Sequence, residues 1–189
     1  MFRVPKKNPA KDLNQLVELA KNGDTEAFGQ IYDVLVKQIY RYIYYRVSPQ
    51  IAEDLTEETF LKAWQSISKY KVGKTPFSAW IFRIAHNLVV DHYRKNEVTS
   101  EIDESLADVK TDALPSYNLN IRLNELKLRQ AITKLPESYQ QVILLKYINE
   151  EENDVIAQTI GKSEGAVRTI QFRALEKLRS LLEEKREDF

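Results

Sequence analysis

The sequence predicts an all-α fold of two small helical domains, an N-terminal helical bundle and a C-terminal helix-turn-helix, joined by an acidic flexible linker. Three observations predict it. Glycine and proline are scarce, at 5 and 6 in 189 residues. Apolar residues recur at three- and four-residue spacings over long stretches, and one stretch near the middle is rich in carboxylates with no sustained apolar stripe. Hydrophobic residues make up 43% of the chain, enough apolar mass for one ordinary domain or two small ones and far from the composition of disordered chains.

The elements follow in order. Asp24 is placed to cap a helix running through Ala27, Phe28, Ile31, Tyr32, Leu35, Ile39, Tyr42 and Ile43, which Ser48-Pro49 interrupts. A second helix begins near Ile51 and carries Leu55, Phe60, Ala63, Trp64 and Ile67, with a break at Lys71-Val72-Gly73-Lys74. Thr75-Pro76 is a helix-start signal, because proline at the first helical position lacks an N–H that would have no partner anyway. The helix it opens runs from Phe77 to about Lys95. On it, Phe77, Ile81, Ile84, Leu88, Val90 and Tyr93 are read as a core stripe, with Arg83, Asn87 and Arg94 on another face.

From Glu97 to Asp112 six carboxylates stand against the single Lys110. We place the linker at 96–120, between an N-terminal domain at 12–95 and a C-terminal domain at 121–186. Helical periodicity resumes at Ile121, Leu123, Leu126, Leu128 and Ile132. Leu135-Pro136-Glu137 stops that helix and starts another through Val142, Leu145 and Ile148.

The sharpest pattern lies between Asp154 and Leu182. Ala157 is a small residue where two crossing helices touch, Gly161 permits a left-handed turn, and Val167 and Ile170 seat a second helix on the first. Ser163 is placed to cap that second helix. Val167, Ile170, Ala174, Leu178 and Leu181 form its buried stripe, whereas Arg168, Thr169, Phe172 and Arg173 fall off it. Charge is sorted as well. Gly161 to Arg179 holds five basic residues and two acidic ones, and Glu137 to Asp154 holds five acidic residues and one basic. A basic helix of this kind suits the major groove, where arginine donates to guanine or phosphate. The competing reading is an αα-hairpin with a solvated basic face.

In the N-terminal half, Ala52 to Phe60 holds four carboxylates, Glu53, Asp54, Glu57 and Glu58. They either compensate a helix dipole or form an acidic docking surface. The helix from Phe77 mixes aromatic rings with Arg, Asn and His. That mixture suits unstacked single-strand bases, and equally a buried aromatic core for Trp80 and Phe82.

No enzyme chemistry is encoded in a recognisable form. Cysteine is absent, which removes disulfides and thiolate metal sites and fits a reducing compartment. The only histidines, His86 and His92, are six residues apart, off the i, i+4 spacing of a helical metal pair. No glycine-rich phosphate loop or nucleophile elbow occurs. We therefore expect no catalytic residue, no metal, no cofactor and no small-molecule substrate. The N-terminus has charges but no apolar run of a signal peptide, and no segment approaches the ~20 residues that span a bilayer. A soluble cytoplasmic protein without membrane insertion is the expectation.

Taken together, the segments Ala20-Lys21-Asn22-Gly23-Asp24-Thr25-Glu26-Ala27-Phe28, Ala52 to Trp64, Pro76 to Asn87, Leu135-Pro136-Glu137, Ser163 to Arg168 and Arg173-Ala174-Leu175 resemble the extracytoplasmic-function (ECF) group of bacterial RNA polymerase sigma factors. The resemblance covers most of the chain outside the linker. It implies a subunit that docks on core RNA polymerase, with its β and β′ subunits as partners, and directs it to promoter DNA. It implies that Asp54, Glu57, Glu58, Phe60, Leu61 and Trp64 dock on the β′ clamp coiled coil. It implies that the Ser68 to Lys74 loop and the Phe77 helix, with Tyr70, Lys74, Phe77, Trp80, Arg83 and Asn87, melt and read the minus-10 element. Ser163, Glu164, Arg168, Thr169, Phe172, Arg173 and Lys177 would meet the minus-35 element. The acidic linker would thread through the core enzyme, and an anti-sigma protein would cover the docking surfaces. The chain departs from the common family pattern at Ile170 and Gln171, where many members carry a basic residue and then leucine.

The alternative is a free-standing helix-turn-helix regulator whose N-terminal half senses a ligand or pairs protomers; a third reading is a helical adaptor with no nucleic-acid role. With 28 basic and 28 acidic residues the net charge is zero. Phosphate neutralisation dominates unaided duplex binding, so neutrality favours a factor that reaches DNA while docked on a larger enzyme.

Overall fold

The computed structural model describes residues 9–98 and 116–187, with side chains described over 13–95 and 123–183. Among the described residues every regular element is helical: α1 (Pro9–Lys21), α2 (Thr25–Tyr44), α3 (Pro49–Ser66), α4 (Phe77–Val98), α5 (Ser116–Thr133), α6 (Glu137–Ile143), α7 (Asn153–Ile160) and α8 (Glu164–Glu187). A 3₁₀ turn follows α3 at Ile67–Lys69, and a π-helical turn follows α6 at Leu144–Ile148.

The signals in the sequence act as their chemistry dictates. Asp24 has extended backbone and its carboxylate accepts from the Ala27 N–H at 3.0 Å, capping α2. Ser48 is likewise extended, and Pro49 opens α3. Gly161 ends α7 in the left-handed region, at φ 67° and ψ 36°. The Ala166 N–H then donates to Ser163 Oγ at 3.2 Å, capping α8.

One expectation is corrected. Val90 and Tyr93 are 37% and 43% exposed rather than buried. At 100° per residue Val90 lies about 200° around the helix from Leu88, so it faces away from the stripe that Phe77, Ile81 and Leu88 define. The stripe is completed instead by Phe82, Ala85 and Val89. Around the stretch read as linker, α4 reaches Val98 and α5 starts at Ser116. Residues 99–115, with most of the acidic run, lie outside the described residues.

In the N-terminal half, α1 to α4 enclose Val17, Ile31, Ile39, Tyr42, Phe77, Ile81 and Phe82, all at most 1% exposed. The C-terminal half packs Ile132, Val142, Leu144, Leu145, Ile156 and Val167. Burial of each large apolar side chain contributes about 1.5–3 kcal/mol, which offsets the ordering of the chain. The two halves also touch: α4 lies on α7, and α2 meets the Leu144–Ile148 turn.

Candidate nucleic-acid and partner interfaces

The predicted residues fall on three faces. The first is α8. Ser163, Glu164, Arg168, Thr169, Phe172, Arg173 and Lys177 are all exposed, while Val167, Ala174 and Leu178 beneath them are buried. Phe172 is 64% exposed, an apolar ring held in water among cations. Arg168 Nη2 donates to Glu164 at 3.1 Å, and the Thr169 hydroxyl donates to the Gly165 carbonyl at 3.1 Å. Both pairs are solvent-accessible and exchange readily for a phosphate or a base edge. Ile170 packs half-buried on the core, and Gln171 Nε2 donates to Asn153 Oδ1 at 2.8 Å. The polar residue where leucine is common therefore ties α8 to the first residue of α7.

The second face is on α3. Phe28 and Trp64 rings meet at 4.9 Å and Tyr32 and Phe60 at 4.7 Å, flooring an apolar hollow lined by Thr25, Phe28, Phe60, Leu61 and Trp64. Leu61 is 55% exposed at its rim. Asp54 and Glu57 are exposed, whereas Glu58 pairs with Lys62 at 3.1 Å. Phe60 is buried, so it supports this surface from below instead of presenting a ring.

The third face comprises the loop from Tyr70 and the exposed side of α4. Tyr70, Phe77 and Trp80 form a triad with centroids 5.2–5.3 Å apart. Tyr70 and Phe77 are buried in it, and Tyr70 donates its hydroxyl to the Thr75 carbonyl at 2.5 Å. These two rings shape the loop; Lys74 and Asn87 are its exposed polar members and Trp80 is half-buried. Asn87 opens into a groove that Lys62, Gln65 and Lys69 of α3 and the following turn also line. Lys69 belongs to the Ser68 to Lys74 loop already assigned to the minus-10 element, whereas sequence reading did not assign Lys62 to it, because only the α3–α4 packing brings Lys62 beside Asn87. Arg83, though exposed, reaches the other half: its Nε donates to the Thr159 carbonyl at 3.1 Å and its Nη2 to the Gln158 carbonyl.

One titratable group stands out electrostatically. His86 is held well below its ordinary value, at about 4, by burial and then by the Arg46 guanidinium, which together outweigh Glu137. Arg46 only donates, so His86 Nδ1, 3.0 Å from Arg46 Nη1, is the acceptor, and the proton of the neutral ring sits on Nε2, 3.2 Å from Glu137.

No helix among the described residues is long and apolar enough to cross a membrane. Two family models match the chain: Sigma-70 region 2 over residues 31–99 and Sigma-70, region 4 over residues 125–178. The chain is 35% identical to the ECF RNA polymerase sigma factor BldN of Streptomyces coelicolor, over 93% of this chain and 70% of that one. It is 31% identical to the ECF RNA polymerase sigma factor SigW of Bacillus subtilis, over 90% and 96%. Among solved structures, CnrH in complex with the cytosolic domain of CnrY superposes with a TM-score of 0.67 at 25% identity, covering 91% of this chain and 97% of that one.

Proposed function

The chain belongs to the ECF RNA polymerase sigma factors, non-enzymatic subunits that direct the polymerase to promoters, and we propose that its three exposed faces divide that task. The α3 face docks on the β′ subunit. Leu61 and Trp64 supply apolar area, and Asp54 and Glu57 meet basic side chains at its edge. The α4 face reads the minus-10 element. Lys62, Lys69 and Lys74 attract the phosphates, Asn87 and Arg83 supply hydrogen-bonding groups, and Trp80 offers a ring for an unstacked base.

The α8 face enters the major groove at the minus-35 element. Arg168, Arg173 and Lys177 contact phosphate or guanine, and Phe172 meets a thymine methyl. The observation that carries this reading is the exposure of all seven predicted residues, six in α8 and its capping Ser163, above a fully buried Val167. Zero net charge supports the same division, since the polymerase then supplies most of the electrostatic hold on DNA. We place the protein in the cytoplasm, where polymerase works. We assign the chain an anti-sigma partner, a reading supported by the way CnrH, a structural relative, is held in a complex with the cytosolic domain of CnrY.

The test is reconstitution with core polymerase. The wild-type chain co-elutes with core and initiates at a cognate promoter. Leu61→Asp with Trp64→Ala loses co-elution while the folded chain keeps its helical circular dichroism. Failure of the wild-type chain to bind core, or undiminished binding by the folded double variant, contradicts the assignment of α3.

A further inference from the structure

Two edges of α8 border its buried stripe, and different forces hold them. On the helical wheel Val167, Ala174 and Leu178 are flanked on one side by Ile170 and on the other by Gln171. Ile170 packs half-buried on the core. Gln171, also half-buried, donates from Nε2 to Asn153 Oδ1 at 2.8 Å. The neighbours of Asn153 at the start of α7 are engaged elsewhere. Glu152 makes no capping bond and lies 3.9 Å from Lys146, and Asp154 Oδ1 accepts from the adjacent Val155 N–H at 2.8 Å. Among the described residues, the Gln171–Asn153 pair is the one side-chain hydrogen bond that joins α7 to α8.

Directionality separates the two edges. Apolar contact follows the area removed from water and has no preferred angle, so Ile170 lets α8 roll on the core at little cost. A hydrogen bond weakens steeply once its angle falls below about 120°, so the Gln171 bond resists that roll. The side chains read as facing DNA stand next to it. Arg168 and Phe172 lie about 60° and 100° around the helix from Gln171, on the side away from the stripe. Nothing in the core fixes either tip: Arg168 is paired only with Glu164 one turn back on the same helix, and Phe172 is 64% exposed. Both therefore turn with α8. On a helix about 10–12 Å across, a roll of about 20° carries such a tip by about 2 Å, whereas a recognition group has to be held within about 0.5 Å.

We propose that Gln171 and Asn153 are positioning residues for the minus-35 contact: their bond sets the roll of α8 and so aims Arg168 and Phe172 at their base edges. The effect passes through the helix, with no contact of the pair itself to a base. The inference rests on the minus-35 reading of α8 given above.

The test is promoter discrimination by reconstituted holoenzyme, measured as the ratio of initiation at a cognate promoter to initiation at promoters carrying single minus-35 base changes. Gln171→Leu and Asn153→Ala should each lower that ratio at least about fivefold, with discrimination at the minus-10 element unchanged. The double variant should lower it no further than either single change, because both remove the same bond. Asn153→Asp keeps an acceptor for the Gln171 amide and should retain the wild-type ratio. A pair that only stabilises the fold would lower the thermal midpoint and initiation at every promoter alike while leaving the ratio untouched, and that outcome overturns the proposal. So does a ratio lost equally in Asn153→Asp and Asn153→Ala. Arg168→Ala tests the underlying reading separately: if it leaves minus-35 discrimination unchanged, the role of α8 fails whatever the pair does.

Discussion

The two DNA-facing helices differ in what their outer surfaces touch. α8 buries one stripe, Val167, Ala174 and Leu178, and leaves the rest to solvent. α4 is gripped on two sides, with Ile81, Phe82, Ala85 and Val89 in the N-terminal core and Arg83 and His86 against the C-terminal half. Sorting residues by helical periodicity therefore describes α8 almost completely and α4 only in part. A helix that packs on one side can be read from its own spacing, whereas one that packs on two depends on partners distant in sequence.

The largest expected effects test whether the halves are separate cooperative units. Phe82→Ala, which removes a fully buried ring packed edge-on against Tyr42 at 5.3 Å, should cost about 3–5 kcal/mol, and Leu145→Ala about 2–5 kcal/mol. Calorimetry should resolve two transitions, each variant lowering only one; a single transition lowered equally by both would make the two halves one cooperative unit.

Next in size is Arg168→Ala. Loss of a direct base contact costs about 1–3 kcal/mol of discrimination. Promoter-binding measurements should show weaker affinity and indifference to base changes in the minus-35 element only. Arg83→Ala should show the same pattern at the minus-10 element, so exchange of the two patterns would invert the assignment of the helices.

The contact between the halves around His86 also predicts a pH response. His86 has its midpoint lowered to about 4 in the folded chain, so its contribution to stability is fully present above the ordinary value near 6.5 and is lost as pH falls through 4. Glu151 acts oppositely. Burial, then Asp154 and Glu152, raise its carboxyl to about 7, and the stability from its protonated form is present below about 4.5 and lost as pH rises through 7. An NMR titration of His86 should give a midpoint near 4 in the free chain and a higher one in an Arg129→Ala, Gln141→Ala variant, in which the contact between the halves is weakened and the ring is less buried, while Arg46 stays beside it. Equal midpoints would mean that the N-terminal half alone buries the ring.

Smallest are two changes confined to α8. Gln171→Leu deletes the hydrogen bond to Asn153 and should cost about 0.5–1.5 kcal/mol in thermal unfolding. Glu164→Ala frees Arg168 from an exposed pair and should change stability by less than about 1 kcal/mol, with an effect that fades as salt rises.

What was legible traces to local chemistry. Asp24, Pro49, Gly161 and Ser163 act within a few residues of themselves, and each marks the helix boundary that its own hydrogen bonding or dihedral preference requires. α1 escaped notice because its apolar positions, Leu13, Leu16, Val17 and Ala20, are few and become a stripe only against α2. The aromatic residues around Phe77 were read both as core and as base platforms. Packing separates them, since Phe77 and Tyr70 close on each other and only Trp80 keeps partial exposure. The capture of Arg83 by carbonyls 75 and 76 residues later left no local trace.

The most direct measurement is selection of promoters from a randomised library by reconstituted holoenzyme, run in parallel with the wild-type chain and with Arg168→Ala, Arg173→Ala. The wild-type chain should select two separated sequence blocks, and the double variant should lose the upstream block while keeping the downstream one. Selection of the same two blocks by both proteins, or loss of the downstream block alone, would contradict the division of labour between α8 and α4.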